Sequence, residues 1–208
     1  MIQPNQEEIE KIEYYLKEDF EKKFKQIQKF IKILLEENKN HNLIGKNTVE
    51  TIWSRHIIDS LQIMPLIQHD DKNIIDLGSG GGFPGIILSI SIEKHFILIE
   101  KSPVKAHFLQ NVINSLKLNA EVINTKITEQ NLSSISNNDN NIITARAFKS
   151  MEEILKIVGK NNIKKIILLK GENWEKEIIK ASNLIKNWNI KTTNSILDKG
   201  VIIMMTKK

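Results

Sequence analysis

The chain has 208 residues, 40% of them hydrophobic and 26% charged, the balance of an ordinary water-facing globular protein. That length supports one substantial core with an appendage, and no run approaches the ~20 apolar residues that a membrane helix needs. Cysteine is absent, which excludes disulfides, cysteine-ligated metals and thiol nucleophiles. The first eight residues are polar and acidic, unlike a signal peptide, so a cytoplasmic location is expected. A net charge of +5 suits an anionic partner such as RNA. The abundance of Lys, Asn and Ile and the scarcity of Arg also match AT-rich coding, so charge alone decides little.

Residues 5–38 predict two amphipathic helices. Ile9, Ile12, Leu16 and Phe20 recur at helical spacing, then Phe24, Ile27, Ile31, Leu34 and Leu35. Residues 38–42 break the pattern as a polar loop. A third helix is expected from Thr48 to Ile63, with Val49, Ile52, Trp53, His56 and Ser60 on one face. Arg55 and Asp59 stand four apart on a neighbouring face, spaced to pair with each other. Pro65 and the polar run 68–72 mark a boundary between an N-terminal helical extension, 1–66, and a core, 67–208, in effectively a single domain.

Beyond residue 72 strands and helices alternate. Strands are expected at 73–77, 95–99, 121–124, 142–145 and 165–169. Helices are expected near 84–91, after Ser102-Pro103, after the capping box Ser150–Glu153, and over 174–188. Residues 131–141, rich in Ser and Asn, read as an irregular loop. The ending differs: 192–197 and 201–206 flank Asp198-Lys199-Gly200 as an antiparallel hairpin. The fold class is therefore α/β, a mostly parallel seven-stranded Rossmann-like sheet ending in a hairpin. This is the order of class I S-adenosylmethionine-dependent methyltransferases, whereas a nicotinamide-binding sheet would more often keep alternating.

The stretch Ile74-Ile75-Asp76-Leu77-Gly78-Ser79-Gly80-Gly81-Gly82-Phe83-Pro84-Gly85 carries the first chemistry. An apolar strand ends in an acid, and glycines at 78, 80 and 82 let backbone approach a ligand. Pyrophosphate, itself an anion, needs no acid before such a turn. Asp76, expected to face the same crevice, suits a ligand with positive charge, such as the amino and sulfonium groups of S-adenosylmethionine. Glu100, 20 positions past Gly80 at the end of the second strand, stands where an acid takes ribose hydroxyls. Gly80, Gly82 and Gly85 also match a dinucleotide fingerprint. A nicotinamide-dependent oxidoreductase, or an RNA-binding protein with a vestigial pocket, stays open at this point.

The acceptor side lies beyond the fourth strand. Prolines occur only at 4, 65, 84 and 103, so the Asp/Asn-Pro-Pro-aromatic tetrad common in amine methylation is missing. Pyrimidine C5 methylation lacks its cysteine. The strand runs instead into Thr144-Ala145-Arg146-Ala147-Phe148. An Arg facing a cationic cofactor needs an anion or a carbonyl: the cofactor's carboxylate, a phosphate or a base oxygen. A ring nitrogen with a free lone pair, such as guanine N7, fits this inventory, because it loses no proton and needs no general base. The bland alternative for Arg146 is a salt bridge to Asp76 or Asp59, and Phe148 reads as core.

Asn42-Leu43, Arg55-His56-Ile57-Ile58-Asp59-Ser60, Asp76–Gly85, Ala145–Phe148 and Leu169-Lys170-Gly171 together resemble the bacterial small-subunit rRNA guanine-N7 methyltransferases, also called glucose-inhibited division protein B. The resemblance implies methylation of a guanine N7 in the decoding-region hairpin of 16S rRNA, in the small ribosomal subunit, from S-adenosyl-L-methionine. It implies that Gly78 and Phe83 contact the cofactor, that Ile127 and Thr128 line its adenine, and that Arg146 lies at cofactor and acceptor alike. With the loop reading, the expected cofactor set is Asp76, Gly78, Ser79, Gly80, Phe83, Glu100, Ile127, Thr128 and Arg146. Arg146 and His56 are the catalytic candidates, and Arg55, Lys126, Lys170 and Lys199 the candidate RNA contacts. A monomer with no metal is expected. The chain departs from the family's usual Arg-(Ala/Val)-Glu at Lys126-Ile127-Thr128, losing a carboxylate and exchanging a bidentate fork for a point charge.

Overall fold

Asn5 opens α1 (Gln6–Leu16) by accepting the amide of Glu8, whose carboxylate accepts the amide of Asn5. Helix α2 (Phe20–Glu37) buries Ile27, Ile31 and Leu34 as the periodicity predicts, with Phe30 beside them. The computed structural model describes residues 2–136, 140–197 and 199–208.

The third helix is not the regular one expected. Lys46–Thr48 forms a 3-10 turn, Trp53–Ile58 a π-helical turn, and only Asp59–Leu61 (α3) is α-helical. Over so few residues, apolar spacing does not separate a 3.6-residue period from the wider π turn. Asp59 does not pair with Arg55 as the spacing predicts; it reaches Arg146 on the sheet.

Seven strands follow: β1 (Asn73–Leu77), β2 (His95–Ile99), β3 (Ala120–Ile123), β4 (Asn141–Arg146), β5 (Ile163–Lys170), β6 (Trp188–Asn194) and β7 (Val201–Lys207). Their order is β3-β2-β1-β4-β5-β7-β6. The first five run parallel, and β7 lies antiparallel between β5 and β6. This is the mostly parallel sheet with a terminal hairpin that the sequence predicts. Strand β1 sits between β2 and β4, with Asp76 in register with Leu98 and Thr144. The strand order reverses there, so a crevice opens at the carboxyl ends of β1 and β4.

The helices between strands are α4 (Gly85–Ser91), α5 (Pro103–Leu116), α6 (Glu129–Ile135), α7 (Met151–Val158) and α8 (Trp174–Lys180). Residues 131–135 were expected to be irregular and belong to α6. Its capping box uses Thr128 with Asn131 in place of the usual Glu or Gln, which hides the signal. Residues 137–139 of that stretch lie outside the described residues, as does Asp198 of the hairpin turn. The last helix stops at Lys180, and Trp188 opens β6 instead of closing a helix.

Both sheet faces are covered, which is why the strands read as continuous apolar runs. Ile74, Phe96, Leu98 and Ile142 pack against α1, α2, α4, α5 and the π turn. Ile75, Ile97, Ile143 and Leu168 pack against α6 and α7. At the amino end of the sheet, buried Lys165 reaches Asp71 at 2.6 Å and the Leu66 carbonyl at 2.8 Å, pinning β5 to the segment before β1.

One residue of α2 supports the glycine turn directly. The fully buried ring of Phe30 lies 5.5 Å from that of Phe83 and 6.5 Å from that of Phe108. A Cβ on Gly82 would come within 3.2 Å of its edge. Phe30→Ala is expected to cost about 3–5 kcal/mol in urea unfolding, because it leaves a cavity within a fully buried hydrophobic cluster.

Candidate active site

The turn after β1 is built to be approached closely. Gly78 has φ +70°, and a Cβ there would fall 2.2 Å from the Phe148 ring. A Cβ on Gly81 would fall 2.8 Å from the Leu43 carbonyl. Leu43 and Ile44 are held against the loop by Asn38, whose side-chain oxygen accepts both their amides at 2.8 and 2.9 Å. The amides of Gly78 and Ser79 donate to the Ile99 carbonyl, tying the loop to the end of β2. Glu100, nearly buried, accepts the Gly80 amide at 3.0 Å and the Ser102 amide at 2.8 Å.

These elements enclose a cavity of about 530 Å³ walled by Leu43–Gly45, Gly78–Gly81, Phe83, Glu100, Ile127 and Arg146, among others. Of the expected cofactor residues, Gly78, Ser79, Gly80, Phe83, Glu100, Ile127 and Arg146 reach this wall. Asp76 and Thr128 do not. Asp76 is fully buried behind the turn, where it accepts the Gly85 amide at 3.2 Å and the Thr144 hydroxyl at 3.0 Å. It holds the start of α4 to β4 and does not face the crevice as expected. Thr128 is spent as the cap of α6, exchanging hydrogen bonds with Asn131.

A second crevice of about 1060 Å³ adjoins the first, and the two share His56, Arg146, Ala147, Phe148 and Lys149. Ala147 sits at φ +48°, a left-handed turn that brings Arg146 and Phe148 to the same walls. For a residue with a Cβ this costs roughly 1–2 kcal/mol. Phe148 is half-buried: it packs against the core on the α6–α7 side, as expected, and also forms part of the partition between the two cavities.

Arg146 is the shared wall's organising group. Its Nη1 donates to the Arg55 carbonyl at 2.7 Å and to Asp59 at 3.0 Å, and its Nη2 meets His56 Nδ1 at 2.5 Å. The guanidinium also lies 5.1 Å from the Phe83 ring centre. The salt-bridge alternative is realised through Asp59, yet Arg146 still lines both cavities. Burial raises the Asp59 pKa, against the pull of Arg146, Ser195 and Gln62. Gln62 bridges Asp59 and Ser195 and accepts the Ile196 amide, so the same cluster fastens the loop between β6 and β7.

The candidate RNA contacts separate. Arg55, Lys170 and Lys199 line the second crevice, and Lys126 lines the first. Lys170 is half-buried, bonded to Glu177 at 2.8 Å and to the Lys149 carbonyl at 2.5 Å, so its charge is already answered. Lys199 is exposed, 3.7 Å from Glu172. The sequence reading did not single out Lys101, Lys105 or Lys149, which also reach the first cavity. The N-cap Ser102 offers a signal for Lys105, since the first turn of a helix that follows a parallel strand faces the ligand edge.

The model of rRNA small subunit methyltransferase G (GidB) matches residues 23–198. The chain belongs to this family. A Pelagibacter ubique protein named Ribosomal RNA small subunit methyltransferase G is 38% identical over 190 residues, covering 86% of this chain and 85% of that one. A Rickettsia felis protein of the same name is 36% identical over 156 residues, 74% of this chain and 78% of that one. Among solved structures, M. capricolum TrmK in complex with S-adenosyl-homocysteine superposes with a TM-score of 0.56 at 18% identity, over 72% of this chain and 67% of that one. That likeness concerns the fold alone. Membership in the methyltransferase G family and this sheet order do not favour the nicotinamide alternative.

Asp76 makes a pH prediction. Burial raises its pKa to about 6, so the fold prefers the neutral acid. Its contribution to stability is greatest below the unfolded value near 4 and is lost as pH rises toward 6. Asp76→Asn, which cannot ionise, should lack that fall, on the order of 3 kcal/mol between about pH 4 and 7. Urea midpoints of both proteins across that range check it.

Proposed function

We propose that this chain transfers a methyl group from S-adenosylmethionine to the N7 of a guanine in 16S rRNA of the small ribosomal subunit. The observation that carries this reading is one arginine in the partition between two adjoining cavities, in a member of the rRNA small subunit methyltransferase G family. The smaller cavity has a fit for the cofactor. Gly78 and Gly81 let the Phe148 ring and the Leu43 carbonyl close on the turn that walls it, Glu100 offers carboxylate oxygens for ribose hydroxyls, and Ile127 and Ile99 offer apolar surface for adenine. When bound, the cofactor supplies a methyl on a sulfonium, and the N7 lone pair takes it as the C–S bond breaks, leaving a thioether and a cationic base.

The protein's task is then orientation and electrostatics. Two N–H groups of Arg146, on Nε and Nη2, have no protein partner among the described residues. They stand ready for an oxygen from either side: the cofactor carboxylate, a phosphate or the guanine O6 beside N7. The partition holds no free base. The His56 lone pair faces Arg146, and Asp59 is bound to Arg146, Gln62 and Ser195. A nucleophile that loses no proton suits such a site.

In the larger crevice, Arg55 and Lys199 are the RNA-facing charges, with Lys126 across the partition in the smaller cavity. We read residues 1–66 as an extension integrated into a single domain, and the protein as a cytoplasmic monomer. Neither reading is needed for the chemistry.

Arg146→Lys keeps the charge and loses the fork. It should lower methyl transfer to undermethylated small subunits by about 100-fold while leaving the circular dichroism spectrum unchanged. Full activity would refute the assignment. Calorimetric titration with S-adenosylmethionine tests the cofactor, and absence of binding below about millimolar, near −4 kcal/mol, would remove it.

A further inference from the structure

The Arg146 cluster assigns a role to His56 that neither family membership nor the shape of the cavities supplies. We infer that His56 is a positioning residue, an imidazole locked in one tautomer that aims the Arg146 guanidinium. This rests on the reading of Arg146 as the group shared by cofactor and acceptor.

The hydrogen-bond directions leave one solution. The Thr48 hydroxyl donates its single proton to the Gly45 carbonyl at 2.8 Å. Toward His56 Nε2, 2.9 Å away, it can therefore only accept. The ring proton sits on Nε2, and Nδ1 carries the lone pair. That lone pair is what an Arg146 Nη2–H requires at 2.5 Å. An imidazolium, or the opposite tautomer, would set N–H against N–H there.

The surroundings agree with the bonding. The charged groups facing His56 are the guanidiniums of Arg146 and Arg55, with the Asp59 carboxylate turned to Arg146. The Phe83 ring covers one face at 4.7 Å. Burial, then Arg146, then Arg55 drive the His56 pKa down to about 3. The ring is neutral at any physiological pH, and its only basic nitrogen is engaged.

The consequence for Arg146 is a guanidinium fixed at both ends. Asp59 and the Arg55 carbonyl take the two Nη1 protons, and His56 takes one on Nη2. What remains, the Nε–H and the second Nη2–H, is thereby aimed along the partition. The chain Gly45–Thr48–His56–Arg146 begins in the wall of the smaller cavity and ends at the group that lines both.

The test combines spectra with kinetics. Imidazole ¹⁵N spectra of the full-length protein should show His56 protonated at Nε2, bare at Nδ1, and not titrating between about pH 5 and 8. His56→Leu should lower kcat for methyl transfer by about 10–100-fold with cofactor affinity within about threefold, since aim is lost and the cavity is kept. His56→Asn, whose amide oxygen can accept near the Nδ1 position, should recover most of that loss. Thr48→Val should release the tautomer and lower kcat in the same direction, which keeps the test available if the Leu variant does not fold.

Titration of His56 near its ordinary value, the Nδ1–H tautomer, or a folded Asn variant no better than Leu would each overturn the role. So would a near-neutral limb in the wild-type pH–rate profile that vanishes in His56→Asn. If the wild-type protein transfers no methyl to rRNA while the spectra show the locked ring, the reading of the reaction fails and the positioning stands.

Discussion

The fork between Arg146 and the π-helical turn is the interaction on which the site depends. A guanidinium at the carboxyl end of a central strand, beside a crevice fit for a cationic cofactor, is unfavourable unless its charge is answered. Asp59 answers it from the other layer of the molecule, with the side chain of Asp59 6% exposed and that of Arg146 17%. At that depth solvent screens little, and breaking the pair would strand a buried carboxylate at a cost of about 3–5 kcal/mol. The pair therefore constrains both how the N-terminal helices sit on the sheet and where the arginine points.

The π turn makes this geometry available. It presents the Arg55 carbonyl and the His56 ring toward Arg146, and the Asp59 carboxylate joins them from the first residue of α3. Wide turns of this kind are uncommon and recur at functional sites. Ala147 supplies the matching irregularity on the sheet side, its left-handed backbone setting Arg146 and Phe148 on one partition. Two irregular features thus face each other across the shared wall, each flanked by buried packing: Trp53 and Ile57 in the turn, and Ala145 at the strand end.

The electrostatics divide the site into groups that act and groups that support. Asp76 is fully buried and Lys170 half-buried, each with its polar atoms already bonded. Their chemistry is structural: one ties the start of α4 to β4, and the other holds the Lys149 carbonyl. Glu100 does both, bracing the loop through Gly80 while lining the cavity.

Much of this was legible in sequence because it is local. Strand runs, the glycine turn, the Ser102 and Ser150 caps and the final hairpin depend on neighbours a few residues away, and each lies close to where the pattern puts it. The methyltransferase sheet order follows from strands that alternate with helices and then stop alternating. Local pattern misplaced α6 and the start of β6, where an Asn replaced the usual capping acid and Lys/Asn-rich segments carry little periodic contrast. It also gave Asp76 and Thr128 ligand-facing roles, because spacing reports which turn a residue is in and not which side of it solvent reaches. What tertiary structure alone decided was pairing across distance. Asp59 chose Arg146, 87 positions away, over Arg55, four away, and His56 met the same guanidinium. No periodicity encodes such contacts, because they are selected by packing two layers together and by the cost of leaving a buried charge unanswered.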